Sequence, residues 1–225
     1  MKPYYQDDKC TIYNDKNENV VDFLPDRVDL LFLDPPYDIW HTIDPGIFPE
    51  SDTIVAFSNP QNRYSVYELF GKPKWELVWY YTDGTWYSHN GPRSNHDAIM
   101  VYGNTGEAYV GPINNETEPR KPYHSGLHGQ EEYVYVPRER KLLRSVLEYP
   151  KAWNRIGRSI FGKPEALIMN LLEWVAPETI LDPFMGSGTT LRVAKNLNQS
   201  CIGIEMEQEL CDHAVKRLAQ EVLPL

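Results

Sequence analysis

The stretch that most constrains this chain is Leu30-Leu31-Phe32-Leu33-Asp34-Pro35-Pro36-Tyr37. Four consecutive apolar residues, with Val28 just before them, predict a short strand buried on both faces, the kind found in parallel sheets. The two prolines end it, because each lacks an N–H and fixes φ, so the chain must leave the sheet. Asp34 is thereby held at the carboxyl end of a strand, where open α/β sheets place their ligands. Its carboxylate and the Pro35 carbonyl are two hydrogen-bond acceptors, and Tyr37 offers a flat ring. That set suits an amino group on a planar heterocycle: one acceptor for each N–H proton and a ring to stack on. The same tetrapeptide also reads as a plain turn capping a strand, with Asp34 starting it.

Around this strand the pattern alternates between strands and helices. Residues 11–13 predict a strand ending at Asn14-Asp15, and Val20, Val21, Phe23 and Leu24 give the polar segment that follows one short helical face. Further strands are expected at 53–57, 75–81 and 98–102, and a helix at 61–70 stopped by Gly71. Residues 82–97, with Gly84, Gly91 and Pro92, read as a long loop of the kind that is often functional. From 103 to 150 prolines and glycines interrupt every pattern, which predicts an irregular insertion with one short strand at 133–136. An amphipathic helix is expected at 164–175, where Leu167, Ile168, Leu171, Leu172 and Val175 share a face and Pro164 occupies the first turn. A strand at 179–181, a helix at 191–197, a strand at 201–204 and a last helix from 208 to about 222 complete the chain.

At 225 residues one domain with an embellishment is the default. No apolar run reaches the roughly 18–20 residues of a membrane span, and the stretch from Met1 to Asp8 lacks the apolar core of a signal peptide. Cys10, Cys201 and Cys211 are few and far apart, which fits a reducing cytoplasm. His124 and His128 lie among prolines and glycines with no helix to align them, so no metal is expected. A net charge of −10 argues against nucleic acid, but the total hides an asymmetry. Residues 120–163 hold ten Lys and Arg against four Glu, a local balance of +6 that leaves −16 on the rest. A basic face on an acidic body can still bind phosphates.

The second informative stretch is Asp182-Pro183-Phe184-Met185-Gly186-Ser187-Gly188-Thr189-Thr190, followed by a helix, a strand and Glu205. Strand, glycine turn, helix, strand and acid make half of a Rossmann-type unit. The glycines let the backbone approach a ligand, and an acid about twenty residues on can take a ribose's hydroxyls. A Gly-x-x-x-x-Gly-Lys pattern is missing from the turn, which argues against a P-loop nucleotide site.

With Asp34-Pro35-Pro36-Tyr37 first, a basic irregular insertion next and Phe184-Met185-Gly186-Ser187-Gly188 last, the chain resembles the S-adenosylmethionine-dependent amino-methyltransferases of DNA with the permuted, beta-type motif order. The resemblance covers about residues 11–220. It implies a Rossmann-like α/β fold: a mostly parallel twisted sheet with an antiparallel strand and helices on both faces. Residues 1–102 and 151–225 would form the catalytic and cofactor-binding domain, and 103–150 the target-recognition region. Asp34, Pro35, Pro36 and Tyr37 would be catalytic. Asp15, Lys163, Asp182, Phe184, Gly186, Ser187, Gly188, Thr189 and Glu205 would bind S-adenosylmethionine, which would leave as S-adenosylhomocysteine. Lys163 in Lys163-Pro164 matches the element beside the cofactor methionine, Glu205 the acid on the ribose, and Asp15 the position near the adenine. Arg138, Arg140, Lys141 and Arg144 would track DNA phosphates, and Trp40, Trp86 or Tyr87 would wall the pocket or wedge the duplex, with packing in the core the equal alternative for each.

The implied reaction is methylation of a flipped-out adenine at N6, since Asp heads the tetrapeptide; cytosine N4 is the alternative. The implied partners are double-stranded DNA and a cognate restriction endonuclease, for a monomer or homodimer in the cytoplasm of a bacterial or phage-infected cell. Three features depart from the family: Asp38 adds a negative charge beside the tetrapeptide, the insertion is short, and the body is acidic. Methylation of RNA or of a protein amide, and a catalytically silent DNA- or cofactor-binding module, are the competing readings.

Overall fold

The computed structural model describes residues 1–81, 94–112, 140–156 and 159–220. In chain order the elements are β1 (Tyr5–Gln6), β2 (Cys10–Tyr13), α1 (Asn17–Val20), β3 (Arg27–Leu33), β4 (Glu50–Ser58), α2 (Arg63–Phe70), β5 (Trp75–Tyr80), β6 (His96–Gly103), β7 (Tyr109–Pro112), β8 (Arg140–Leu142), β9 (Val146–Glu148), β10 (Ala152–Ile156), β11 (Ser159–Gly162), α3 (Glu165–Val175), β12 (Thr179–Asp182), α4 (Thr189–Asn196), β13 (Ser200–Ile204) and α5 (Gln208–Leu218).

One sheet carries nine strands in the order β1-β2-β13-β12-β3-β4-β6-β5-β9. β2, β13, β12, β3 and β4 run parallel to one another, β6 is antiparallel to both of its neighbours, and β9 is parallel to β5. The expected α/β architecture, mostly parallel with an antiparallel strand, is therefore the one present. Side chains of a strand alternate between faces, and the core divides accordingly. Ile12, Leu30, Phe32, Val55 and Phe57 pack on one face with α3, α4 and α5. Tyr13, Leu31, Leu33, Ala56 and Met100 pack on the other with Val20 of α1, Trp40 and Val66 of α2.

The middle of the sheet sets the site. From β12 the chain passes through α4 to β13 on one side, whereas from β3 it passes to β4 on the other. Neighbouring strands whose connections diverge leave a crevice at their carboxyl ends, the switch point at which such sheets bind ligands. Asp34 follows β3 and the glycine-rich turn follows β12, so the two motifs face each other across that crevice.

Several expectations need correction. Three short strands, β7, β8 and β9, occupy described parts of the stretch read as irregular. β7 pairs with β8, while β9 joins the main sheet beside β5. Each is held by pairing rather than by a pattern of its own. A hairpin of β10 and β11, with Trp153 opposite Phe161, was not expected. The last helix stops at Leu218, short of residue 222. The expected strand at 133–136 lies outside the described residues, as do Trp86, Tyr87, His124 and His128. No described helix is long and apolar enough to cross a membrane, and all three cysteines are free and buried.

Candidate active site

A cleft of about 1120 Å³ runs along the carboxyl edge of the sheet. Asp34, Pro35, Pro36 and Tyr37 line it, and so does every residue expected to hold the cofactor except Gly188. Gly188 faces the other way, with φ +77°, and a Cβ there would sit 2.6 Å from the Ala214 Cβ of α5. It is glycine because the turn is left-handed and α5 is packed against it. Gly186 has φ +51°, and a Cβ there would meet nothing within 4 Å, so its backbone lies open to the cleft.

The strand ends fix the order of groups. Glu205 follows β13, Asp182 ends β12, Asp34 follows β3, and Asp97 of β6 and Tyr81 after β5 come beyond β4. Glu205 accepts the Gly186 N–H on Oε2 at 3.1 Å and the Glu207 N–H on Oε1 at 2.8 Å. Burial raises its carboxyl above the usual range, against those backbone bonds. Asn14 donates to the Glu205 and Met206 carbonyls at 2.9 and 3.0 Å, tying the end of β2 to the end of β13. Asp15 sits at that end of the cleft, held by the Asn19 side chain and the Lys16 N–H. Arg217 of α5 braces the glycine-rich turn through the Ser187 carbonyl and hydroxyl and the Thr189 hydroxyl, at 3.1–3.3 Å.

Lys163, delivered by the β10–β11 hairpin, meets Asp34 directly. Its ammonium donates to Oδ1 and Oδ2 at 2.6 Å each. The same ammonium lies 5.0 Å from the Phe57 ring, 5.5 Å from Tyr37 and 5.7 Å from Trp79, close enough for cation–π attraction. Thus the residue expected beside the cofactor methionine pairs here with the acid expected to hold the amine, and any amine reaching Asp34 must share it with Lys163.

Tyr37 is half-buried, and its hydroxyl donates to Asp97 Oδ2 at 3.1 Å. Burial, then the charges of Asp34 and Asp97, push its phenol well above the ordinary range. Asn62 donates to the Tyr37 carbonyl and holds the loop to the start of α2. Trp79 and Tyr81 continue the aromatic wall, their rings 5.2 Å apart, with the Lys151 ammonium 3.9 Å over Tyr81.

Not every expected residue converges. Trp40 is 1% exposed and donates Nε1–H to the Phe57 carbonyl, which decides between its two readings in favour of the core. Arg144 is exposed and does not line the cleft. Arg140 and Lys141 lie on β8, paired with β7, and Arg138 is outside the described residues. Sequence reasoning passed over Asp97, Trp79, Tyr81 and Lys151. Asp97 alone left a signal, an acid at the head of the apolar run Ala98-Ile99-Met100-Val101.

Comparison with known proteins bears on the family and the fold. A family model described as DNA methylase, of the N6/N4 type, matches residues 50–216, a span that starts beyond the Asp34–Tyr37 loop. The type II methyltransferase M.HinfI of Haemophilus influenzae is 48% identical over 64 residues, 28% of this chain and 18% of its own length. The type II methyltransferase M.HpaI of Haemophilus parainfluenzae is 25% identical over 231 residues, 86% of this chain and 69% of its own length. The chain therefore matches under a fifth of the first relative and about two thirds of the second. Among solved structures, a complex of M1.HpyAVI with SAM superposes with a TM-score of 0.62 at 19% identity, covering 94% of this chain and 100% of that one. The cytosine-N4-specific PvuII DNA methyltransferase gives 0.67 at 10% identity, covering 99% and 91%. At those identities the likeness is one of fold.

Proposed function

We propose that this chain, which belongs to the N6/N4 family of DNA methylases, transfers a methyl group from S-adenosylmethionine to the N6 amine of adenine in DNA. The observation that carries the reading is the crevice itself, with Asp34 and Pro35 on one side and the glycine-rich turn and Glu205 on the other.

The cleft residues fit the methyl donor. Glu205 keeps acceptor capacity beyond its two backbone bonds, Gly186 leaves open space beside the turn, and Lys163 supplies a cation. When bound, S-adenosylmethionine supplies an electrophilic methyl group. Glu205 would take ribose hydroxyls, Asp15 would lie near the adenine, and Phe184, Ser187 and Thr189 would line the donor's path. Asp182, 2% exposed with Oδ1 on the Phe184 N–H, would act by holding the turn rather than by touching the donor.

An exocyclic amine is a poor nucleophile because its lone pair is delocalised into the ring. Asp34 and the Pro35 carbonyl accept its two N–H bonds, which favours a pyramidal nitrogen and frees the lone pair for direct attack. The work of the protein is placement and electrostatics. A base within a duplex is out of reach, so it must leave the stack at a cost of a few kcal/mol; stacking on Tyr37 would return roughly 1–3 kcal/mol. Residues 103–150 would contact the DNA, with Arg138, Arg140, Lys141 and Arg144 on phosphates, in a cytoplasmic setting like that of a restriction–modification enzyme. Because the PvuII enzyme of the same fold is cytosine-N4-specific, cytosine is the competing substrate. Incubation with S-adenosylmethionine and unmethylated duplex DNA, followed by mass analysis of the nucleosides, should yield N6-methyladenine. N4-methylcytosine would keep the mechanism and replace the substrate, and no methylated base would overturn the reading.

A further inference from the structure

One buried charge takes no part in that chemistry. Asp97 is the second residue of β6 and 6% exposed, followed by four buried residues, Ala98 to Val101. A carboxylate in such surroundings is costly to desolvate, and burial raises its carboxyl above the ordinary range against the pull of Lys163 and Lys151. The sheet does not require it. Its backbone lies opposite Trp79 in an ordinary antiparallel register that any strand-forming residue would satisfy.

What the side chain meets is phenol. Oδ2 accepts the Tyr37 hydroxyl at 3.1 Å, and Oδ1 faces the Tyr81 hydroxyl at a longer 3.4 Å. The first contact spans 60 positions of sequence and ties the loop after β3 to β6, across the intervening β4. Without it the Tyr37 ring would be held less firmly. Asn62 grips only the Tyr37 carbonyl, which anchors the backbone; the ring packs against both core clusters, and the bond to Asp97 fixes its hydroxyl end.

We propose that Asp97 is a positioning residue for methyl transfer, presetting the Tyr37 ring as the face on which the target base stacks. The inference rests on the reading of the cleft as a DNA amino-methyltransferase site and names a residue of that site. A ring already fixed loses less freedom when the base arrives, and a reacting group held by locked neighbours stays in productive geometry. The same carboxylate joins Tyr37 to Tyr81, whose ring meets Trp79 at 5.2 Å, so the wall is continuous. The hydroxyls of Tyr37 and Tyr81 face the acid, and Lys163 and Lys151 are the cations that act on it.

The test is transfer of labelled methyl from S-adenosylmethionine to unmethylated plasmid DNA, with kcat and KM measured for wild type, Asp97→Asn, Asp97→Ala, Tyr37→Phe and both double variants. Asp97→Asn keeps an oxygen of the same shape and should stay within about threefold of wild-type kcat. Asp97→Ala and Tyr37→Phe remove the same bond from its two ends, and each should lower kcat about tenfold, as small misplacements do. KM for S-adenosylmethionine should stay within about twofold. Combining Asp97→Ala with Tyr37→Phe should cost no more than either alone, the signature of one shared contact. If Asp97→Ala fails to fold, Asp97→Asn and Tyr37→Phe still test the bond: Asn, which keeps the acceptor, should retain kcat while Phe, which removes the donor, should lose it about tenfold, and equal kcat in the two would overturn the proposal. Multiplying losses, or a KM for S-adenosylmethionine that rises in step with the drop in kcat, would overturn the proposal while leaving the methyltransferase reading intact. A wild-type chain that methylates no DNA would overturn both.

Discussion

Asp182 ends β12 at the foot of the glycine-rich turn, and its substitution by Asn should stabilise the protein in a pH-dependent way. Burial pushes its carboxyl from 3.8 up to about 7, against hydrogen bonds from Thr190 and the Phe184 N–H. An acid whose folded-state pKa lies above the unfolded one binds more protons when folded, across the interval between the two. Stability from this group is therefore fully present below about pH 4, falls as the pH rises towards about 7 and stays low above it. At roughly 1.4 kcal/mol per pH unit, the interval amounts to about 4 kcal/mol against folding at pH 8, as an upper bound. Asn keeps an oxygen for the Phe184 N–H and removes the charge. Asp182→Asn should thus be more stable than wild type at pH 8, by up to roughly 8–16 °C in Tm for a chain of this size, with the gap closing near pH 4. Thermal melts of both proteins from pH 4 to 8.5 measure it. Equal melting at pH 8, or a gap that persists on acidification, would refute the reasoning.

Three further outcomes follow from the same geometry. Lys163→Met leaves Asp34 without its cation; with side chains 16% and 21% exposed, the pair should be worth about 1–3 kcal/mol, below the cost of breaking a fully buried one, and urea denaturation would show it. Gly188→Ala imposes a left-handed alanine and a clash with Ala214, together about 3 kcal/mol with the overpacking included; Ala214→Gly in the same chain should recover the clash but not the strain. Arg144→Ala should lower the slope of log K against log salt for DNA binding by about one, read by fluorescence anisotropy, and an unchanged slope would remove Arg144 from the interface.

The sequence carried the centre of the fold well and its margins poorly, for physical reasons. β3 was legible because Leu30–Leu33 is apolar without alternation and two prolines end it, so the strand and the placement of Asp34 followed together. The turn after β12 was legible because Gly186 and Gly188 adopt positive φ, which local sequence can signal. β9 and the β10–β11 hairpin were not, since strands of three to five residues exist through partners far along the chain. The contacts of the site were hidden for the same reason. Lys163 reaches Asp34 across 129 positions and Tyr37 reaches Asp97 across 60, distances over which no periodicity or spacing rule applies. Trp40 is undecided from sequence: an aromatic beside a motif can wall a pocket or pack in the core, and its Nε1–H on the Phe57 carbonyl places it in the core.

The measurement that bears most directly on the site is methyl transfer by Asp34→Ala, set beside calorimetric binding of S-adenosylmethionine to the same protein. If Asp34 holds the amine while the opposite wall holds the donor, the variant should bind S-adenosylmethionine within a few-fold of wild type yet lose methyl transfer by about 10²–10³, the cost of removing one preorganised polar group from a reacting centre. Transfer retained within tenfold, with binding unchanged, would contradict that assignment.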